Sequence, residues 1–305
     1  MIRAIDLGDL LPRRAVVRDR AAVSKMLNGK RVVITGAGGS IGSELSRQVN
    51  SFKPSELVLV DNCEFNLYSI SEQLPGATAI YADVRDAESV ENFMYSDSEQ
   101  VVFHAAAMKH VPLVERNTNE AFKTNVTGTL NVVQACSRHK IYRMVLISTD
   151  KAVNATSYMG KTKEIAENIC RRARYTAVRF GNVLGSSGSV VPLFERQLIK
   201  GGPLTVTHES MERYFMSIDE AVELVLQAAT GEPAIYILDM GQPVKIMDLA
   251  RDMIRLSGKT PGTEIEIEIT GLRPGERLTE QLFTETENVT PSGIDGIWRI
   301  SNGST

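Results

Sequence analysis

The sequence predicts an α/β protein: a doubly wound parallel sheet with a smaller C-terminal region laid over one of its edges. Three observations predict it. Short β-branched runs alternate with helical stretches through the first half of the chain. Those runs are apolar almost throughout, as parallel strands covered on both faces are. A glycine-rich turn, Thr35–Gly42 (TGAGGSIG), joins the first run to the first helical stretch, which makes the fold Rossmann-type.

In chain order, strands are expected at Arg31–Thr35 (RVVIT), Glu56–Asp61 (ELVLVD), Ala77–Tyr81, Gln100–His104 (QVVFH) and Arg143–Ser148 (RMVLIS). Helices are expected at Ser40–Ser51, Glu64–Gln73, Asp86–Tyr95, Asn117–Arg138 and Ser157–Arg174. This alternation implies right-handed crossovers, with helices on both faces of one sheet. After Phe180 the rhythm changes. A Gly/Ser loop, Gly181–Gly188 (GNVLGSSG), precedes a helix near Val191–Ile199 and an extended piece, Leu204–Thr207. A helix at Ser217–Ala229, a strand at Ala234–Asp239, a helix at Lys245–Ser257 and a strand at Glu264–Thr270 follow. The reading divides the chain into a linker-like segment (1–28), a dinucleotide-binding domain (29–180) and a mainly substrate-binding region (181–305). Some elements of the last region return to the sheet.

Composition narrows the function classes. The 305 residues are 43% hydrophobic and 23% charged, ordinary values for a globular protein. Lys plus Arg number 34 against 37 for Asp plus Glu, a net charge of −3, which argues against nucleic-acid binding through phosphate neutralisation. Three scattered cysteines (Cys63, Cys136, Cys170) fit a reduced, cytoplasmic setting and offer neither a disulfide framework nor a zinc site. No stretch approaches the ~20 apolar residues of a membrane span, and Met1–Arg20 lacks the apolar core of a signal peptide.

Gly36, Gly39 and Gly42 are placed for a tight turn, a close approach to a pyrophosphate and close helix–strand packing. Ser40 is expected to cap the helix whose N-terminal amides receive the phosphates. Asp61, ending the second strand about 20 residues on, suits the adenosine ribose hydroxyls. No arginine follows it to receive a 2′-phosphate, so the cofactor expected is NAD. Asp83 is expected either at the adenine edge or in a simple turn. Leu146–Lys163 (LISTDKAVNATSYMGKTK) starts at the carboxyl end of the fifth strand, where open α/β sheets bind ligands. That puts Thr149, Asp150 and Lys151 in the crevice. Met159 and Lys163 lie four apart, on one helix face. A tyrosine in place of Met159 would complete a YxxxK pair; Tyr158 stands one residue early, about 100° round the helix.

These residues resemble the extended short-chain dehydrogenase/reductase family, and most closely its CapD-like UDP-N-acetylglucosamine 4,6-dehydratases. The resemblance runs through TGAGGSIGSEL (Thr35–Leu45), HAAAMKHVPLVE (His104–Glu115), KTNVTGT (Lys123–Thr129), STDKA (Ser148–Ala152), RFGNVLGSSGSVVPLF (Arg179–Phe194), LDMGQPVKI (Leu238–Ile246) and GLRPGE (Gly271–Glu276). Met159 is itself similar to a membrane-anchored subclass that keeps Asp-Lys and dispenses with the tyrosine. Asp9-Leu10-Leu11 and Arg13-Arg14 look like the linker to membrane domains in such relatives.

The resemblance implies a reaction. C4 is oxidised to a ketone, water leaves from C5 and C6, and the hydride returns to C6. It implies Lys151 as the C5 base, Asp150 as the acid toward the C6 hydroxyl, and Thr149 at the C4 hydroxyl. Lys163 would hold the nicotinamide ribose, and Asn125 would support the site's backbone. Ile41, Val84, Ala105 and Ala106 join the cofactor residues. A lysine acting as base must be neutral, so burial or the charges of Lys163 and Lys109 are expected to depress its pKa. The group that accepts the C4 hydroxyl proton is not assigned, because Met159 accepts none.

For the UDP-sugar, Arg273 and Arg213 are expected at the diphosphate. Asn182 is expected at the phosphates, and the extended piece Thr205–Thr207 at the uracil through its backbone. Lys109, His110 and Glu276 complete the substrate side. Retention at C5 is expected from Met159 alone, with an inverting dehydratase as the alternative. Two further rivals remain: a UDP-sugar 4-epimerase, which needs no C5 base, and a catalytically silent NAD sensor. A homo-oligomer through Asn117–Arg138 and Ser157–Arg174 would be usual for the fold.

Overall fold

The structure, a computed structural model, describes residues 19–95 and 99–301. The linker-like motifs at residues 9–14 lie outside the described residues. In chain order come α1 (Arg20–Leu27), β1 (Arg31–Thr35), α2 (Ser40–Ser51), β2 (Glu56–Asp61), α3 (Glu64–Gln73), β3 (Thr78–Tyr81), α4 (Ala87–Phe93), β4 (Gln100–His104), α5 (Val111–Arg116), α6 (Thr118–Phe122), α7 (Gly128–Arg138), β5 (Arg143–Ile147), α8 (Tyr158–Arg172) and β6 (Thr176–Arg179). They are followed by β7 (Asn182–Val183), α9 (Val190–Ile199), β8 (Leu204–Val206), β9 (Glu212–Arg213), β10 (Phe215–Met216), α10 (Ile218–Ala228), β11 (Ile235–Leu238), β12 (Val244–Lys245), α11 (Ile246–Leu256), β13 (Ile267–Ile269), β14 (Asn288–Pro291) and β15 (Ile297–Ser301).

Nine strands form one sheet in the order β14-β15-β11-β6-β5-β4-β1-β2-β3. From β11 to β3 all neighbours are parallel; β15 runs antiparallel to β11, and β14 to β15. Strand order reverses at β1, flanked by β2 and β4, and that switch point opens the ligand crevice at the strands' carboxyl ends. All five residues of β1 are buried, which is why its sequence does not alternate. Val32 and Ile34 face Leu45, Val49 and Leu224 on one side. Val33 joins Val58, Val132 and Ala166 on the other. Each such side chain, taken fully out of water, contributes about 1.5–3 kcal/mol. A third cluster, with Phe194, Leu204 and Met253, is the core of the smaller lobe.

Several elements differ from expectation for identifiable reasons. The stretch expected as one helix, Asn117–Arg138, is broken by a π turn at Lys123–Thr127 that turns Asn125 inward. Within the segment expected as linker, Asp19 accepts hydrogen bonds from Ala21 and Ala22 N–H and starts α1, which buries Val23 and Leu27. The sequence predicts no strand at β6, β14 or β15: β6 is four residues hard against a helix, β14 is polar and half-exposed, and β15 buries only Ile297 and Ile300 and is set by its pairing with distant β11. Ser40 does not cap α2. Gly39 occupies the cap position without a side-chain bond, and the Ser40 hydroxyl is turned to the loop at Ser187.

Candidate active site

At Gly36 and Gly42, where β1 passes into α2, there is room only for glycine. Gly36 sits at φ +67°, and a Cβ there would lie 2.6 Å from the Ala106 nitrogen. A Cβ on Gly42 would lie 2.0 Å from the Gly36 carbonyl oxygen. The first turn of α2 is therefore drawn tight against the strand ends, its free amides facing the cleft. Asp61 accepts hydrogen bonds from Gly38 N–H and Cys63 N–H, both at 2.9 Å, and so ties the glycine turn to the end of β2. Each carboxylate oxygen keeps a lone pair for a ribose hydroxyl. A glycine cradle followed by this acid fits NAD, whose ribose there carries no phosphate to repel the carboxylate. Asp83 is committed to a turn: it accepts from Arg85 N–H (2.9 Å) and from its guanidinium (2.8 Å). Burial opposes its charge, but the Arg85 hydrogen bonds outweigh burial and hold the carboxyl below its usual range. Val84 is buried against Gly128.

A cleft of about 460 Å³ runs from Gly36, Gly39, Ser40, Ile41, Gly42 and Ala105 past Thr149, Lys151, Met159 and Lys163 to the smaller lobe. Asp61, Asp83, Val84 and Ala106 lie outside its lining. The chain leaves β5 in a 3₁₀ turn, Asp150–Ala152, capped by the Thr149 hydroxyl. That turn is pinned from behind, since a Cβ on Gly160 would lie 2.1 Å from the Lys151 carbonyl oxygen. Thr149 Oγ1 donates to Asp150 Oδ1 at 2.9 Å, and Lys151 Nζ donates to the same oxygen at 3.0 Å. Asp150 is wholly buried; Thr149 and Lys151 line the cleft and Asp150 does not. Among the described residues, its second oxygen, Oδ2, has no hydrogen-bond partner. The buried Asp150 is not placed for the direct contact with a substrate hydroxyl expected from the sequence; Thr149, whose hydroxyl donates to it, is the residue that lines the cleft.

The protonation expectation for Lys151 is also overturned. Burial works against its charge, but Asp150 and Glu280 together outweigh burial, and the amine's pKa is raised. Lys163 is a depressed amine instead: burial pushes it down to about 8, with Glu167 pulling the other way, and burial lowers Lys109 as well. Its Nζ donates to the Ile147 carbonyl at 2.6 Å. Asn125 accepts from Met108 N–H (2.8 Å) and donates to the Met108 carbonyl and to Thr162, bracing the loop after β4 against α8. Met159 is buried with Val114 and Ala121, and Tyr158 packs on the outside of that cluster.

On the substrate side, Arg273 lines the cleft, is exposed, and forms no ion pair among the described residues. Arg213 is buried and largely spent: it donates to the carbonyls of Glu212, Arg277 and Leu278. Asn182 Oδ1 accepts from Lys151 Nζ at 3.2 Å. Glu276 accepts from Arg273 N–H at 3.0 Å, closing its own turn. Thr205, Val206 and Thr207 line the cleft, and the Thr205 backbone N–H donates to Gln197 Oε1 at 3.1 Å. Lys109 donates to the Ser187 carbonyl at 3.0 Å, and the His110 ring packs beneath Gly188. Ser187 N–H in turn donates to the Ser40 hydroxyl at 3.0 Å. Loop 185–189 thus lies across the glycine turn.

Sequence reasoning missed Glu280, Gln197, Ser187 and Arg277. Arg277 donates to the carbonyls of Val153 and Asn154, fastening the C-terminal loop onto the chain just after the Asp150–Ala152 turn. For Arg277 and Glu280 the sequence signal is a density of charge in a Gly/Pro loop, GLRPGERLTE; Ser187 lies in the Gly/Ser loop GNVLGSSG, and Gln197 carries no signal.

Fold and site define a dinucleotide-binding protein of the extended short-chain dehydrogenase/reductase kind. The chain belongs to the polysaccharide biosynthesis protein family, which it matches over residues 32–302. It is 45% identical to the capsular polysaccharide biosynthesis protein CapD of Staphylococcus aureus, over 94% of this chain and 50% of that one. The chain spans about half the length of such curated relatives. It is 32% identical to a UDP-N-acetylglucosamine 4,6-dehydratase (inverting) of Campylobacter jejuni, over 90% of this chain and 84% of that one. A UDP-glucose 4-epimerase of Rickettsia canadensis is also 32% identical, with the same coverage. Among solved structures, Pen from Bacillus thuringiensis superposes with a TM-score of 0.83 at 34% identity, over 90% of this chain and 89% of that one. Among the described residues no helix is long and apolar enough to cross a membrane.

Proposed function

We propose that this chain is an NAD-dependent UDP-N-acetylglucosamine 4,6-dehydratase that retains configuration at C5 and supplies a 4-keto-6-deoxy sugar nucleotide for bacterial glycan assembly. The observation that carries the reading is the hydrogen-bonded set Thr149–Asp150–Lys151 at the mouth of β5. It contains both a proton relay and a base, and an epimerase needs no C5 base.

When bound, NAD takes a hydride from C4 and returns it to C6. The rest is proton handling by this chain. Thr149 receives the C4 hydroxyl proton and passes its own to Asp150, which answers the lack of a tyrosine at Met159. The C4 ketone acidifies the C5 proton, and Lys151, as the free amine, removes it. The protonated Asp150 returns its proton through Thr149 to the departing C6 hydroxyl, which leaves as water. Lys151 then gives the C5 proton back as the hydride reaches C6. Both side chains end as they began. One amine removes and restores the proton on one face, and that favours retention.

The test is incubation with UDP-N-acetylglucosamine and NAD+ in D2O, followed by NMR and mass spectrometry. A product lighter by one water, with deuterium at C5 and the original C5 configuration, supports the reading. Inverted C5 would make it an inverting dehydratase. Unchanged mass with C4 inverted would make it the epimerase that its Rickettsia relative is named for.

A further inference from the structure

We propose that Glu280 is a positioning residue, fixing the Lys151 amine in the cleft and setting both the pH at which that amine becomes a free base and its strength as one. The proposal rests on the dehydratase reading above.

Glu280 is 5% exposed, and its Oε1 lies 3.5 Å from Lys151 Nζ and 3.8 Å from Arg213 Nε. A carboxylate this deeply buried is costly unless its charge is compensated. Here it completes an alternating row: Asp150, Lys151, Glu280, Arg213. The row is held from outside. Asn154 Nδ2 donates to Gln281 Oε1 at 2.9 Å, Arg277 is fastened to Val153 and Asn154, and a Cβ on Gly275 would lie 3.0 Å from Ser157 Cβ. Glu280 is thereby locked opposite the catalytic turn. The charged groups facing Lys151 are Asp150 on its own turn, Arg213 on β9 and Glu280 on the C-terminal loop. Lys109, His110, Lys163, Arg273, Glu276 and Arg277 line the cleft around them.

The consequence for catalysis follows from counting charges. In the resting site two carboxylates favour the ammonium, so Lys151 must lose a proton to solvent before turnover. At the elimination step Asp150 carries the C4 proton and is neutral. Glu280 is then the remaining anion beside Lys151, and it is what favours formation of the ammonium as the C5–H bond breaks. Glu280 therefore makes the resting amine harder to free and the working amine a stronger base.

Glu280→Gln keeps the shape and removes the charge. The neutral fraction of Lys151 at pH 7 is expected to rise roughly tenfold or more, since an opposite charge at this range shifts a pKa by at least about one unit. The acid limb of kcat against pH moves to lower pH, while the plateau rate falls by about tenfold. Glu280→Asp, which keeps the charge, stays closer to the wild-type profile. A loss of rate with the acid limb unmoved would mark a merely structural residue and overturn the proposal. A second readout needs no turnover: NMR titration of 15N-lysine in the NAD-loaded protein, with the Lys151 signal assigned by its loss in Lys151→Met. Should wild type not turn over UDP-N-acetylglucosamine, yet the Lys151 titration drop in Glu280→Gln, the dehydratase reading fails and the electrostatic role of Glu280 stands. A titration that does not move sinks the role of Glu280 whatever the substrate is.

Discussion

His104 ends β4 immediately before the loop that closes on the glycine turn, and its environment makes acid sensitivity a measurable consequence of the fold. The ring is fully buried, with Nδ1 2.7 Å from Thr35 Oγ1 and Nε2 3.1 Å from Thr129 Oγ1. Thr129 spends its own hydrogen on the Asn125 carbonyl at 2.7 Å, so it accepts from Nε2–H, and Nδ1 accepts from the Thr35 hydroxyl. The neutral ring is satisfied at both nitrogens. Burial, helped by the charge of Lys163, pushes its pKa from 6.5 down to about 3. Between those values the unfolded chain binds a proton that the folded chain refuses, so stability rises with pH and is lost as pH falls below 6.5. The loss approaches about 1.4 kcal/mol per pH unit well below 6.5 and comes to about 2.3 kcal/mol between pH 6.5 and 4.5. That is a large part of an ordinary folding free energy of about 5–15 kcal/mol. His104→Gln offers the same donor and acceptor without the titration. Urea unfolding at pH 4.5, 5.5 and 6.5 is expected to show a steeper fall for wild type, approaching about 1.4 kcal/mol per pH unit. Parallel pH dependences for the two proteins would refute the assignment of a neutral buried imidazole.

Two further outcomes are expected. Thr149→Val cuts the relay to Asp150, so conversion of the sugar nucleotide should slow by about 10²–10⁴-fold. Deuterium exchange at C5 of added 4-keto product, which needs only Lys151, should persist, and NMR of that exchange separates the two steps. Arg179, 4% exposed, donates to Glu167 at 2.7 Å and to Glu287 at 2.9 Å. Arg179→Met strands two carboxylates and should destabilise the protein by about 3–5 kcal/mol in urea unfolding; unchanged stability would show that Glu287 does not tie the C-terminal segment to β6.

What the sequence made legible follows from locality. The β1–α2 turn, the acid ending β2 and the Thr149–Lys151 turn are each read within a few residues, because strand ends and glycine turns encode their geometry locally. The strands β14 and β15 were not legible: β15 pairs with β11 some sixty residues away, β14 pairs only with β15, and β14 is polar and half-exposed. Nor was the break at Asn125, since the helical pattern on either side is intact. Glu280 was hidden for a related reason. Its loop has no periodicity, and its partner Lys151 lies over a hundred residues away.

The pKa expectation for Lys151 erred because it placed the amine among cations, when folding surrounds it with carboxylates. The error bears on why a methionine is tolerated at 159. In a YxxxK pair the lysine serves by acidifying a phenol. Here Lys163 has no phenol to serve, and its amine is turned back onto the Ile147 carbonyl beneath the cleft. In the proposed mechanism proton handling lies not on α8 but at the end of β5, where the Thr149 hydroxyl and the Lys151 amine both donate to Asp150 Oδ1. A tyrosine restored at 159 would have to displace the packing of Met159 on Val114 and Ala121. It would also add a second acceptor for the C4 proton, one that leaves Asp150 charged at the elimination step. The C6 hydroxyl would then lack its acid, so Met159→Tyr should permit C4 oxidation while impeding loss of water.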